Sequence, residues 1–199
     1  MRSIVEAKTG LDVRAVISNR PDAKGLEWAR AQGIETRVVD HNEFAAREAF
    51  DAALAGIIGG YAADVVLLAG FMRIFTDAFV ERFPRRILNI HPSLLPSFPG
   101  LHTHRRALAA GVKIHGATVH VVTPALDNGP IVIQGAVPVL PGDTEETLSQ
   151  RVLQVEHRIY PEAVRWLVEG RIEFADGDVV QVRRAGNLNE TLVSPRDIS

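Results

Sequence analysis

The sequence predicts an α/β fold, a mainly parallel, twisted sheet with helices on both faces. Three observations carry that reading. Apolar strand-like runs alternate with amphipathic helical segments along most of the chain. Residues 65–69 are a continuous apolar run, as expected of a strand covered on both faces. Two runs, ending at Ala69 and Ile90, break sharply into loops, and ligands of such sheets bind beyond the carboxyl ends of strands.

The elements follow in order. Residues 1–9 read as the latter part of a helix, with no strand or glycine-rich turn ahead of it. Residues 12–18 are a strand, followed by the turn Asn19-Arg20-Pro21-Asp22. Asp22 is placed to cap an amphipathic helix to about Gln32, with Gly33 as its stop. Residues 36–39 are a strand, and Asn42 is placed to cap a helix reaching about Gly59. After the strand at 65–69, Thr76 opens a short helix that ends before Pro84, and 86–90 is the next strand. Residues 101–110 read as a helix, and 117–122 and 131–137 as strands. Asp143 or Thr144 begins a long helix to about Glu169, with Glu146 placed for a capping box. Short strands at 171–174 and 179–182 precede a polar, frayed tail. No repeat or linker divides residues 1–199, so one domain is expected.

Composition narrows the function classes. At 199 residues, 46% hydrophobic and 23% charged, the chain can bury a proper core. Its net charge of -2 gives no electrostatic case for nucleic acid or an anionic membrane. The absence of cysteine excludes disulfides, thiolate metal sites and a cysteine nucleophile. The longest apolar run, 65–72, is too short to span a bilayer, so the expected location is cytoplasmic.

The run Asn89-Ile90-His91-Pro92-Ser93-Leu94-Leu95-Pro96-Ser97-Phe98-Pro99-Gly100-Leu101-His102-Thr103-His104 concentrates the chemistry. Asn89 and His91 are two apart on a strand, so both side chains leave by one face. An amide and an imidazole at a strand end suit acyl-type transfer better than packing. An imidazolium can donate to a developing oxyanion, and an adjacent carboxylate favours that charged ring. Asp127, in Leu126-Asp127-Asn128-Gly129-Pro130, is such an acid, although alone it reads as a turn residue. His102 and His104 with His91 lack the further ligands of a metal site, so no metal is expected. Ala69-Gly70-Phe71-Met72-Arg73-Ile74 reads either as a buried loop or as the wall of a flat ligand's slot. Arg47 and Glu156 read, by periodicity, as solvated helix-face charges.

Taken together these segments, with His115-Gly116-Ala117-Thr118-Val119-His120 and Gln154-Val155-Glu156-His157-Arg158-Ile159-Tyr160-Pro161, resemble the folate-dependent glycinamide ribonucleotide formyltransferases. The resemblance runs from about Asp12 into the long C-terminal helix, and its Pro-Gly-Leu-His-Thr-His ending separates it from the wider Asn-Ile-His group. It implies a Rossmann-like formyltransferase fold and transfer of a formyl group from 10-formyltetrahydrofolate to the amine of phosphoribosylglycinamide in purine biosynthesis. It also implies a catalytic set of Asn89, His91 and Asp127, with Asp127 supporting a protonated His91. Met72, Arg73, Ile74 and Phe75 would lie against the pterin, with Asn89 and Thr123, Pro124, Ala125, Leu126 and Asp127 along its edge. Arg47 would meet the folate's glutamate tail, and Glu156, Gly100 and His102 the acceptor. Partners would be these two small molecules, with no nucleic acid or membrane, and the protein a monomer or homodimer.

The start departs from the family pattern. Its first strand and its Gly-rich phosphate loop have no counterpart, and residues 1–7 match only the helix that follows them. Exposed apolar strand edges and a weak hold on the acceptor phosphate are the expected consequences. The nearest rival reading is a 10-formyltetrahydrofolate hydrolase. A transferase acting on initiator tRNA is disfavoured by length and charge, and an inactive folate-binding chain is the rival from a different class.

Overall fold

The computed structural model describes residues 1–175 and 179–183, so the expected frayed tail lies outside the described residues. Helix α1 (Arg2–Glu6) leads to strand β1 (Val16–Ser18), helix α2 (Lys24–Ala31) and strand β2 (Thr36–Val38). A 3₁₀ turn (His41–Glu43) precedes α3 (Arg47–Gly60), β3 (Val66–Leu68), α4 (Asp77–Arg82) and β4 (Ile87–His91). Then come α5 (Thr103–Ala109), β5 (Ile114–Val121), β6 (Ile131–Pro138), the long α6 (Glu145–Val168), β7 (Ile172–Phe174) and β8 (Val180–Val182).

The fold is the Rossmann-like α/β class that the alternation predicts. Parallel pairing occurs at β1–β2 and β3–β4, and β5 and β6 extend the sheet antiparallel in the order β3-β4-β5-β6. Helices cover both faces because consecutive strand residues point opposite ways. Ile87 joins a cluster with Phe50, Leu54 and Ile58 of α3 and Phe79 and Val80 of α4. Its neighbour Leu88 joins the other cluster, with Leu148, Val152 and Val164 of α6 and Ala107 of α5. The fully buried Tyr160 hydroxyl lies 2.8 Å from the Leu68 carbonyl and 3.0 Å from that of Leu88, fixing α6 beneath the β3–β4 pair. Among the described residues no helix is long and apolar enough to cross a membrane.

Two helix starts differ from expectation, and a third begins as expected but with another capping partner. Asp22 does not cap α2, since both its oxygens are taken by Arg20 at 3.0 and 2.7 Å, and Ala23 is the N-cap. Asn42 does not cap α3; it sits in the 3₁₀ turn, whose cap is Asp40. The chain then stays extended through Phe44, which packs edge-on to Phe50 at 5.7 Å, and α3 starts only at Arg47. Thr144 caps α6, but the reciprocal partner is Thr147 rather than Glu146. Asp143, the other candidate cap, is clamped by Arg151 at 2.8 and 2.9 Å. That guanidinium holds its carboxyl well below the usual carboxylate range.

The sheet is divided. β1 and β2 share no ladder with β3, and a cavity of ≈ 1090 Å³ separates the two parts. At the other end of the sheet, β5 and β6 approach closely because Gly116 has no side chain. A Cβ there would lie 2.0 Å from the Gly135 carbonyl oxygen. Gly116→Ala is therefore expected to lower the unfolding free energy by about 3 kcal/mol in urea titrations, and a change within error would show that this pair can spread.

Candidate active site

Strand pairing assembles the site. In the antiparallel β4–β5 register Asn89 lies opposite His120, and His91 opposite Thr118. Cross-strand partners of this kind have adjacent side chains, and the Asn89 Nδ2 to His120 Nε2 distance is 3.2 Å. His120 Nδ1 is 3.2 Å from the Val121 carbonyl, which only a protonated nitrogen can satisfy. Those partners assign His120 as the Nδ1–H tautomer, with Nε2 accepting one Asn89 amide hydrogen. Burial lowers the His120 pKa, which keeps the ring neutral and able to accept. Asn89 retains its second amide hydrogen for an incoming group.

Asp127 comes to this pair from the β5–β6 connection. Its backbone is left-handed, with φ 49°, a conformation that Asp tolerates better than most residues. Two residues on, Gly129 lies so close to β5 that a Cβ would meet the Val121 carbonyl at 1.7 Å. The turn is thereby pressed onto the strand end. The nearly buried Asp127 carboxylate sits 3.4 Å from His91 Nδ1 and 3.8 Å from His120 Nε2, and accepts the Gly100 N–H at 2.8 Å. His91 Nε2 is 3.1 Å from the Phe98 carbonyl. Each nitrogen of the His91 ring thus has an oxygen close by, the Asp127 carboxylate at Nδ1 and the Phe98 carbonyl at Nε2.

The proline-rich loop is fastened by buried polar groups. Thr118 donates its hydroxyl to the Ser93 carbonyl at 2.7 Å and accepts the Leu95 N–H at 3.0 Å. Gln134 donates to the Leu95 carbonyl at 2.8 Å, and Ser93 to the Ser97 carbonyl at 2.7 Å. Thr118, Gln134 and the oriented His120 were not anticipated as site residues. Their signal was present as polar side chains on strands, two of them in His115-Gly116-Ala117-Thr118-Val119-His120, but their partners depend on a register that no local pattern reveals.

The structure brings Asn89, His91, Asp127 and Gly100 into one constellation. The other expected site residues differ in exposure and in partners. Met72 and Ile74 are exposed, as are Pro124, Ala125 and Leu126, while Thr123 is half-buried. Arg73 instead turns its guanidinium over the Phe50 ring at 5.3 Å, and Phe75 is buried in a stack with Phe71 and Phe79 at 4.7 and 4.0 Å. Arg47 is exposed at the start of α3, 3.9 Å from Glu48, and His102 is exposed at the left-handed entry to α5. Glu156 is half-buried one turn before Tyr160 on α6, so it shares the face of α6 that meets the sheet. Burial raises its pKa, against the pull of the Met1 amine. Among the described residues no group of three or more side chains is arranged to hold a metal ion.

Beside the constellation, His115 is buried, its ring edge-on to His104 at 5.3 Å. Burial, with the neighbouring His104 adding to it, pushes its pKa down to about 4. The unfolded ring protonates near its ordinary value of 6.5 and the folded ring does not. Its contribution to stability is therefore complete above pH 6.5 and lost as pH falls toward 4. Across that window stability should drop by about 1.4 kcal/mol per pH unit on account of this ring. Denaturant titrations of His115→Gln should show a slope smaller by one proton, and an unchanged slope would refute the assignment.

Comparison with known proteins agrees with this geometry. Residues 2–164 match the family model described as formyl transferase. The chain is 53% identical over 161 residues to the phosphoribosylglycinamide formyltransferase of Escherichia coli K12, covering 81% of this chain and 76% of that one. It superposes with a TM-score of 0.87 and 50% identity on glycinamide ribonucleotide transformylase 1 of Symbiobacterium toebii, covering 91% and 87% of the two chains. A formyltetrahydrofolate deformylase from Pseudomonas syringae is more distant, with a TM-score of 0.82, 30% identity and coverage of 91% and 61%. The chain belongs to the formyl transferase family.

Proposed function

We propose that this protein transfers the formyl group of 10-formyltetrahydrofolate to the amine of 5-phosphoribosylglycinamide. The observation that carries the reading is the Asn89–His91–Asp127 constellation at the end of β4, which sets an amide with one free hydrogen and an imidazole beside a carboxylate. The similarity to glycinamide ribonucleotide transformylases supports this acceptor over water.

The amine nitrogen attacks the formyl carbon and the carbonyl electron pair moves to oxygen. That oxyanion takes the free Asn89 N–H and competes with the neutral Phe98 carbonyl for the His91 Nε2–H, a contest that an anion wins. Collapse re-forms the carbonyl and breaks the bond from carbon to the folate N10. The proton lost by the amine is the one N10 gains, and the Asp127 carboxylate beside His91 is placed to relay it through water. A donor of this kind lowers the barrier by roughly 3 kcal/mol. The exposed Met72, Ile74 and Leu126 offer apolar surface to the pterin, Arg47 a cation to the glutamate tail, and Glu156, Gly100 and His102 contacts to the acceptor.

In a coupled assay, His91→Ala is expected to lower kcat about 10²–10³-fold while the Kd for a folate analogue stays within a few-fold. Asp127→Asn keeps an oxygen for the Gly100 N–H and tolerates the left-handed backbone, so it should fold and still lose rate. Activity of His91→Ala within a few-fold of the parent would overturn its role. Folate product formed equally well without the glycinamide substrate would establish the hydrolase reading instead.

A further inference from the structure

Helix α3 buries a carboxylate that takes no part in the reaction. Asp51 is 3% exposed, next to Phe50 at 1%. An acid at that depth loses its hydration and needs a hydrogen-bond donor in exchange. The donor is the Thr76 N–H, 2.6 Å from Asp51 Oδ2. Thr76 is where the loop after β3 becomes α4, and its own hydroxyl accepts the Phe79 N–H at 3.3 Å. Asp51 therefore ties the far end of that loop to α3.

The near end is tied to the sheet, where the Leu68 carbonyl accepts the Tyr160 hydroxyl at 2.8 Å. Among the described residues, the backbone of 70–75 makes no hydrogen bond to other backbone, so the position of the loop follows from its anchors. Within it, Arg73 lies over the Phe50 ring at 5.3 Å and Phe75 stacks on Phe79 at 4.0 Å, while Met72 and Ile74 stay exposed. Those aromatic contacts can slide; the Asp51 bond is directional. An apolar side chain beside Phe50 and Leu54 would cost less to bury than a carboxylate, but would leave Thr76 unfixed.

We propose that Asp51 is a positioning residue for the folate co-substrate: its bond to Thr76 sets where Met72 and Ile74 stand, and so how the pterin fits against them. The inference rests on the reading of Met72 to Phe75 as the pterin wall, and adds to it a residue that touches neither substrate. The catalytic constellation is mounted elsewhere, on β4, β5 and the turn at Asp127. Loosening the loop should consequently act on folate affinity and spare both turnover and the acceptor.

Calorimetric titration of the 199-residue chain with tetrahydrofolate, together with steady-state kinetics, tests this. Asp51→Ala is expected to raise the tetrahydrofolate Kd and the KM for 10-formyltetrahydrofolate about tenfold, with kcat and the KM for the glycinamide substrate within about threefold of the parent. Asp51→Asn keeps an oxygen for the Thr76 N–H and should hold folate affinity within about threefold. Asp51→Glu keeps the charge but carries its oxygens one carbon farther, so it should weaken folate as the Ala variant does, and it supplies the readout should that variant not fold. Ile58→Ala, about 10 Å farther along α3, should lower stability and leave the folate Kd unchanged. The proposal is overturned if folate affinity in the Ala and Glu variants stays within about twofold of the parent. It is equally overturned if Asp51→Asn is as weak as Asp51→Ala, or if Ile58→Ala weakens folate as much. A parent chain that binds no tetrahydrofolate would instead sink the folate reading, and this inference with it.

Discussion

The catalytic arrangement depends on where one carboxylate is held. Asp127 reaches across from the β5–β6 connection to lie between the rings of His91 and His120, and it also accepts the Gly100 N–H. One side chain so connects β4, β5 and the proline-rich loop. A nearly buried carboxylate is costly unless its oxygens are occupied, and here backbone and two imidazoles surround it. The requirement propagates outward. Asp127 must adopt a left-handed backbone, Gly129 must lack a side chain to press against Val121, and Thr118 must hold the loop that carries Gly100.

The same half of the molecule supplies the rigidity. α6 is anchored by its Thr144–Thr147 capping box, by the Asp143–Arg151 pair and by the buried Tyr160 hydroxyl beneath β3 and β4. This mounts the constellation on paired strands and a long helix rather than on loops alone, which keeps donor positions fixed. The β1–β2 pair lies across the cavity from β3.

Much of this was legible in the sequence. The Asn89-x-His91 spacing placed both side chains on one face of a strand end, and the continuous apolar run at 65–69 marked a strand covered on both sides, now β3. Helix starts were harder, because a cap residue is chosen by competition. Asp22 is taken by Arg20, and Asp143 by Arg151, before either can serve a helix. A further member of the site was hidden for another reason. His120 orients Asn89 only because β4 and β5 pair in one particular antiparallel register, a long-range outcome that strand alternation does not encode. Arg73 and Phe75 likewise turned inward to Phe50 and Phe79, partners set by how α3 and α4 pack.

The central claim is that a neutral His120, protonated at Nδ1, fixes the Asn89 amide so that one hydrogen remains for the oxyanion. Nitrogen-15 NMR of the histidine rings in the folded protein tests it most directly. His120 is expected to show a protonated Nδ1 and an unprotonated Nε2 at neutral pH, with its transition to the charged ring displaced below the ordinary histidine range. A protonated Nε2 at neutral pH would contradict it, because Asn89 would then present its carbonyl to the ring and lose the donor geometry described for the reaction.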